Sequence, residues 1–126
     1  MPPRAISLTA ELDQVSSHWS PRVVASLNGQ YLKVAKLEGE FVWHDHAGED
    51  ELFLVLRGSL RLDFNDGSVT LGEGECCMVP RGVRHRPVAD EECWVALFEP
   101  AATAHTGDVV DPRTRSLADQ TSHLQE

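Results

Sequence analysis

The sequence predicts an all-β domain, and three observations support that prediction. From Val23 to Phe98 the apolar residues form short runs of strand length, and each run ends near glycine, proline or aspartate. Two of the breaks, Arg57-Gly58 and Asp66-Gly67, have the composition of hairpin turns, in which glycine accepts a positive φ. No long helical pattern lies between the runs, which argues against a parallel α/β fold. We therefore expect an antiparallel sandwich or barrel.

A short helix is predicted before the first strand. Ser7 can cap the amino end of a helix over residues 7–15, in which Leu8 and Leu12 lie on one face. Trp19-Ser20-Pro21 then breaks the helix. The strands that follow are predicted at residues 22–27, 30–37, 40–44, 51–56, 59–64, 68–71, 76–79, 84–88 and 93–99.

The chain divides into three predicted segments. A length of 126 residues suits one domain. Residues 1–21 form an N-terminal segment, residues 22–108 form the barrel, and residues 109–126 form a polar C-terminal tail. Few residues of the tail could pack, namely Val109, Val110, Leu117 and Leu124. We expect the tail to be partly ordered or docked on a neighbour.

The composition argues against several classes of partner. The net charge of −9 disfavours binding to nucleic acid or to an anionic membrane surface. No apolar run is long enough to span a membrane, and no secretory apolar segment follows the first residues. Three cysteines are an odd number without disulfide spacing, so reduced thiols are expected. We expect a cytoplasmic protein that binds neither nucleic acid nor membrane.

One predicted strand has apolar residues on both of its faces. Leu52, Leu54 and Leu56 alternate with Phe53 and Val55. A strand with water on one face should carry polar residues there. The second face must therefore be covered, either by the N-terminal segment or by another subunit, and a homodimer is our working hypothesis.

Three histidines and a carboxylate have spacings that suit a metal site. Residues two apart on a strand point to the same side, so His44 and His46 can present both rings inward. Glu51 opens the next strand, and His85 follows the Pro80-Arg81-Gly82 turn. Three imidazoles and a carboxylate suit one divalent ion of Fe, Mn, Zn, Ni, Co or Cu, and would leave two open positions on an octahedral ion. The sequence does not choose among these ions.

The order and spacing of these residues resemble the two motifs of the cupin family. For the first motif, Gly39 is followed by four residues, His44-Asp45-His46, four residues, Glu51, six residues and Gly58. For the second, Gly74 is followed by five residues, Pro80-Arg81-Gly82, two residues and His85.

One position of the second motif departs from the family pattern. Ala89 stands where cupins have an asparagine. The change removes a polar group from the interior without removing a metal ligand, and it weakens the transfer of any particular activity to this chain.

The resemblance implies a small jelly-roll barrel, or double-stranded β-helix, with His44, His46, Glu51 and His85 as ligands. It is strongest for the single-domain cupins of the phosphomannose-isomerase-like group. Cupins include oxygenases, isomerases, epimerases and non-catalytic binders, so the fold does not settle the activity. We expect a small organic ligand and favour a metal-dependent oxygenase. The alternatives are a non-catalytic metabolite- or metal-binding protein and a sugar isomerase or epimerase.

The predicted substrate pocket is mostly apolar. Phe53 and Val55 share the strand face of Glu51, so they should line it, and Met78 is a further candidate. His105 follows the last predicted strand and is the one candidate for a proton shuttle at the mouth.

Overall fold

The structure, a computed structural model, describes residues 2–103, 107, 113 and 115–125. In chain order the elements are α1 (Leu8–Asp13), β1 (Arg22–Leu27), β2 (Gln30–Glu40), β3 (Glu51–Arg57), β4 (Leu60–Phe64), β5 (Gly67–Leu71), β6 (Cys76–Val79), β7 (His85–Pro100), α2 (Leu117–Thr121) and a 3₁₀ helix (Ser122–Gln125). All strand pairs are antiparallel, so the predicted all-β class is confirmed. Among the described residues, no helix has the length and apolar character that crossing a bilayer requires.

The long strand β7 connects the two parts of the sheet. Strands β1, β2, β7, β3 and β6 lie side by side in that order, and β4 pairs with both β5 and β7. Residues 94–98 of β7 pair with β3, whereas residues 85–88 pair with β4. Because one strand serves both parts, their inner faces enclose a common interior.

Two strand predictions are corrected by this topology. The predicted separate strands at 84–88 and 93–99 form the single strand β7. The predicted strand at 40–44 is absent, because β2 ends at Glu40 and His44 makes only an isolated bridge to His85.

The turn predictions also need correction. Arg57-Gly58 is not a hairpin turn, since β3 and β4 do not pair with each other but with different parts of β7. Gly58 has a φ of 88°, and a Cβ there would lie 3.1 Å from the Glu92 carbonyl oxygen, so this crossing needs glycine. The β4–β5 turn consists of Asn65-Asp66, because Gly67 already pairs with Phe64.

The interior is a packed apolar core. Its members come from inward positions of most strands and include Leu37, Val55, Leu62 and Val95. Ala89, the residue that replaces the motif asparagine, is buried in this core. The barrel is therefore filled with side chains below the site, as expected of a small barrel.

The N-terminal helix α1 covers part of the outer face of the sheet. Ser7 caps it by accepting a hydrogen bond from the Ala10 amide at 3.1 Å, as predicted. Leu12 is buried against Val24, Val34 and Trp94, with Leu8, Leu32 and Leu56 packed around them. One of the two predicted covers for the outer face is therefore present within the chain itself.

The predicted C-terminal tail contains helical structure that the sequence pattern did not reveal. Ser116 caps α2, and Gln120 on that helix is buried. His123 Nε2 lies 2.6 Å from the carbonyl oxygen of Val23 on β1. These residues pack on the chain's own barrel, whereas the predicted boundary at residue 108 and Val109 and Val110 lie outside the described residues.

Candidate metal centre

Backbone hydrogen bonds bring the two histidine segments together. The amide of His44 donates to the carbonyl of His85 at 3.0 Å, and the amide of His85 donates back at 2.9 Å. The Gly82 amide donates to the His46 carbonyl at 2.8 Å. The exposed Asp50 side chain accepts from the Arg81 amide at 2.9 Å, which holds the loop before β3 against the Pro80 turn. The motif segments are thus joined by their main chains before any side chain is considered.

The four predicted ligand residues converge at one point. His44, His46, Glu51 and His85 are all buried, and each offers one ligand atom within 4.8 Å of the others. Glu51 Oε1 lies 3.3 Å from His85 Nε2 and 3.6 Å from His46 Nε2. The structure therefore brings together three imidazole nitrogens and a carboxylate oxygen, a donor set suited to a divalent transition metal.

Main-chain carbonyls fix the orientation of two of the rings. His44 Nδ1 lies 2.9 Å from the Val42 carbonyl, and His85 Nδ1 lies 2.9 Å from the Val83 carbonyl. A carbonyl only accepts, so in the neutral rings Nδ1 carries the hydrogen and Nε2 keeps its lone pair. Metal-binding histidines are commonly held by such a hydrogen bond from the other ring nitrogen.

Three of the convergent atoms have no hydrogen-bond partner. His46 Nε2, Glu51 Oε1 and His85 Nε2 are buried and none makes a hydrogen bond of acceptable geometry within the described part of the chain. Buried polar atoms are nearly always paired, and an unpaired group suggests an additional component. The arrangement fits a bound cation.

Burial and neighbours set the charge states of the cluster. Burial, aided by His85, lowers the pKa of His44 to about 4, so this ring is neutral near pH 7. For Glu51 burial acts to raise the pKa, but close contacts with Glu99, His46 and His85 outweigh it and hold the pKa well below the ordinary range. Burial also opposes protonation of His46, yet Glu51 raises the pKa of that ring. The cluster therefore combines an ionised carboxylate with a neutral His44.

An apolar cavity borders the cluster. Its lining residues are Trp19, Pro21, Ala35, Leu37, Phe41, His44, Glu51, Phe53, Pro87 and Leu97. The rings of Trp19 and Phe41 are stacked with centroids 4.4 Å apart. Trp19 also donates from Nε1 to the Glu38 carbonyl at 2.9 Å. The N-terminal segment thus contributes a wall of the cavity, which no sequence pattern had indicated.

The predicted pocket residues lie in different environments. Phe53 lines the cavity, as expected from its strand face. Val55 shares that face but is fully buried in the core. Met78 is 52% exposed and lies on the opposite face of β6 from buried Val79, so its assignment to the pocket is wrong. His105 lies outside the described residues.

A second buried polar group lies beside the cluster. Lys33 Nζ is 2.8 Å from Glu99 Oε1, and both side chains are buried. Lys33 also donates to the side-chain oxygen of Gln120 on α2. Burial and the neighbouring Glu51 raise the pKa of Glu99 well above its ordinary range, although Lys33 opposes this shift. No local sequence pattern indicated these residues, because their partners are far apart in the chain.

Comparisons with known proteins agree with this fold. A family model described as a cupin domain matches residues 31–98, more than half of the chain. The uncharacterized protein YdbB of Bacillus subtilis (strain 168) is 32% identical over 81 residues, which cover 64% of this chain and 72% of YdbB.

Two solved structures are also similar. A cupin-2 domain containing protein from Shewanella frigidimarina is 45% identical, with a TM-score of 0.74 over 75% of this chain and 93% of its own. Protein NMB1881 from Neisseria meningitidis is 33% identical, with a TM-score of 0.70 over 77% of this chain and 99% of its own. These matches confirm the predicted jelly-roll barrel.

Proposed function

This chain belongs to the cupin family, and we propose that it binds one divalent transition-metal ion through His44, His46, Glu51 and His85 and acts there on a small organic molecule. The observation that carries the proposal is the set of buried ligand atoms without hydrogen-bond partners. A bound cation would satisfy all of them at once. Fe, Mn, Zn, Ni, Co and Cu all accept this donor set, so cellular availability decides among them.

The surrounding residues support a small-molecule site. A bound ion would supply Lewis-acid chemistry and, if redox-active, the activation of dioxygen. The Val42 and Val83 carbonyls hold two imidazoles with Nε2 free, and Glu51 supplies the negative charge. Trp19, Phe41 and Phe53 give the cavity a mostly apolar lining, which is typical of sites for organic ligands.

The cavity favours an oxygenase over an isomerase. Among the described lining residues only His44 and Glu51 titrate, and both are assigned to the ion. A sugar isomerase or epimerase would need a separate general base. The one sequence-based candidate for that base, His105, lies outside the described residues. A non-catalytic metabolite- or metal-binding cupin is the alternative, since the same cluster would serve it equally well.

Elemental analysis tests the ligand assignment. Wild-type protein, His44→Ala/His46→Ala and the control His18→Ala would be purified without a nickel column, because nickel could fill the site. His18 is half exposed and pairs with Glu92 away from the cluster. We expect about one ion per chain in wild type and in the control, and none in the folded double variant. Equal metal content in all three proteins would overturn the assignment.

Oxygen consumption separates the functional classes. Wild type loaded with Fe²⁺ would be tested with a panel of small aromatic and chelating acids in an oxygen electrode. Substrate-dependent uptake supports the oxygenase. Tightly held zinc with no turnover across the panel supports the non-catalytic binder.

A homodimer through the outer sheet face is proposed as the quaternary state. Register places Leu32, Phe98, Leu52 and Met78 in one row across four strands. Each of these side chains retains exposed surface, although Leu32, at one end of the row, also packs against the residues that α1 covers. Association of two copies would bury this row.

Light scattering at micromolar concentration tests the dimer. We expect wild type and the control Val69→Glu to be dimers and Met78→Glu to be a monomer, since Val69 is exposed on β5, outside this row. A monomeric wild type would contradict the proposal.

Cytoplasmic location stays a prediction, supported by three cysteines that form no disulfide in the structure.

A further inference from the structure

A chain of buried polar side chains runs from the candidate metal centre to the C-terminal helix. On the paired strands β3 and β7, Glu51 and Glu99 stand next to the pair formed by Leu52 and Phe98, and both of their side chains are buried. Each carboxyl group shifts the pKa of the other. Glu99 Oε1 pairs with Lys33 Nζ at 2.8 Å, and Lys33 donates in turn to the Gln120 side chain. The amide nitrogen of Gln120 donates to the Arg115 carbonyl at 2.9 Å. Four side chains therefore link β3, β7, β2 and α2 through the interior.

Core packing does not account for these residues. Lys33 is 0% exposed, and Ala35 and Leu37, its neighbours on the same face of β2, are apolar. Burying a charged group costs free energy unless it is well paired, and apolar residues of similar volume often serve stability equally well. Their position suggests a role in the site instead, because Glu99 lies beside Glu51, one of the four candidate ligands.

The contact with Glu99 restricts how Glu51 can turn. A glutamate side chain has several rotatable bonds, and its terminal torsion is broad. Glu51 Oε1 lies 3.6 Å from His46 Nε2 and 3.3 Å from His85 Nε2, and the carboxyl group of Glu99 acts on the same side chain from the neighbouring strand β7. Groups that hold a metal ligand from behind determine its orientation and strengthen metal binding.

We propose that Glu99 is a positioning residue for Glu51, that Lys33 holds Glu99 in place, and that Gln120 makes α2 part of the metal centre. The proposal rests on the proposed function, because it takes Glu51 as a ligand. It assigns to the C-terminal segment a role in the site, in addition to covering the barrel.

Metal affinity tests the proposal by titration of metal-free protein with Zn²⁺ against a chelating dye. Glu99→Leu and Lys33→Met should each weaken binding by about 10- to 100-fold. Glu99→Gln should keep an affinity close to that of wild type, since its amide can accept from Lys33 and donate to Glu51. Rescue by this conservative variant distinguishes positioning of Glu51 from a purely structural effect.

Val34→Ala is the matched control. Val34 is next to Lys33 on β2 and equally buried, but it lies on the opposite face of the strand, where it packs with Leu12 of α1 and Trp94. This variant should lose stability without losing zinc affinity. Unchanged affinity in both Glu99→Leu and Lys33→Met would overturn the proposal. Should those two not fold, Gln120→Met at the outer end of the chain decides: weaker zinc binding supports the proposal, and unchanged binding overturns it.

The test separates failure of this inference from failure of the proposed function. Wild type that binds no zinc or other divalent transition metal would remove the proposed function itself. Wild type that binds zinc as tightly as Glu99→Leu would leave the function standing and remove only the positioning role.

Discussion

Two groups of buried polar side chains share the barrel interior, and they differ in whether their atoms have partners. In the histidine cluster, His46 Nε2, Glu51 Oε1 and His85 Nε2 make no hydrogen bond within the described part of the chain. Beside it, Lys33 Nζ has a carboxylate and an amide oxygen as partners, and Glu99 Oε2 is the one side-chain oxygen or nitrogen of Lys33, Glu99 and Gln120 without a hydrogen bond in the described part of the chain. Burial alone therefore does not mark a functional site. The histidine cluster is the candidate for a bound cation, because its ligand atoms converge on one point without hydrogen-bond partners.

Breaking the paired group should give the largest effect on stability. Lys33→Met leaves Glu99 buried without its cation, so we expect the free energy of unfolding to fall by roughly 3–5 kcal/mol. Urea denaturation of the metal-free protein measures this change. The double variant Lys33→Met/Glu99→Leu should recover most of the loss, because apolar side chains can replace a buried ion pair at little cost. A double variant as unstable as the single one would contradict the assignment of Lys33 and Glu99 as partners.

Adding a metal ion to the histidine cluster should give the next largest effect on stability. At 100 times its Kd, an ion that binds only the folded protein stabilises it by about 2.7 kcal/mol. Unfolding measured with Zn²⁺ and with EDTA should show this difference in wild type and in His18→Ala. The variant His44→Ala/His46→Ala should show no difference. A zinc gain that persists in the double variant would place the ion elsewhere.

The sequence predicted the unpaired group well. The motif spacings identified His44, His46, Glu51 and His85, and the structure brings all four together. The prediction from strand parity was only partly right, since β2 ends at Glu40 and His44 makes only an isolated bridge. What places His44 beside His85 is a pair of backbone hydrogen bonds, which also explains why the outcome did not depend on the strand.

The paired group and the cavity wall could not be predicted in the same way. Lys33 and Gln120 are 87 positions apart, and no local periodicity reports such a contact. Charged residues at inward strand positions are rare, so the alternation pattern gives no reason to expect them there. Trp19 reaches the cavity from a backbone with a φ of 57°, a conformation that few non-glycine residues adopt. Met78 was misplaced because an apolar residue on an outer face looks the same in sequence as one on the inner face.

Protons should compete with the ion in the unpaired group, and this is the smallest of the expected effects. Contact with Glu51 raises the pKa of His46 despite burial, so part of the population carries a proton near pH 7. Metal binding needs the neutral ring, so it should release a fraction of a proton. His44, with a pKa of about 4, is already neutral and should contribute nothing between pH 6 and 8. Calorimetric titration with Zn²⁺ in two buffers of different ionisation enthalpy measures the release.

The sign of the pH dependence distinguishes the two histidines. The pKa of His46 is raised in the folded state, so protonation of this ring stabilises the metal-free fold at pH values below its unfolded-state pKa. This contribution is lost as the pH rises through the folded-state pKa. His44 has a lowered folded pKa, so its contribution is lost as pH falls from about 6.5 towards about 4. As the pH is lowered, protonation of His46 should therefore weaken zinc binding before protonation of His44 does. The affinity should fall by up to about tenfold per pH unit. Equal binding enthalpies in the two buffers would contradict the release of a proton on zinc binding. Equal proton release in wild type and in His18→Ala is the expected control result, because His18 pairs with Glu92 away from the cluster.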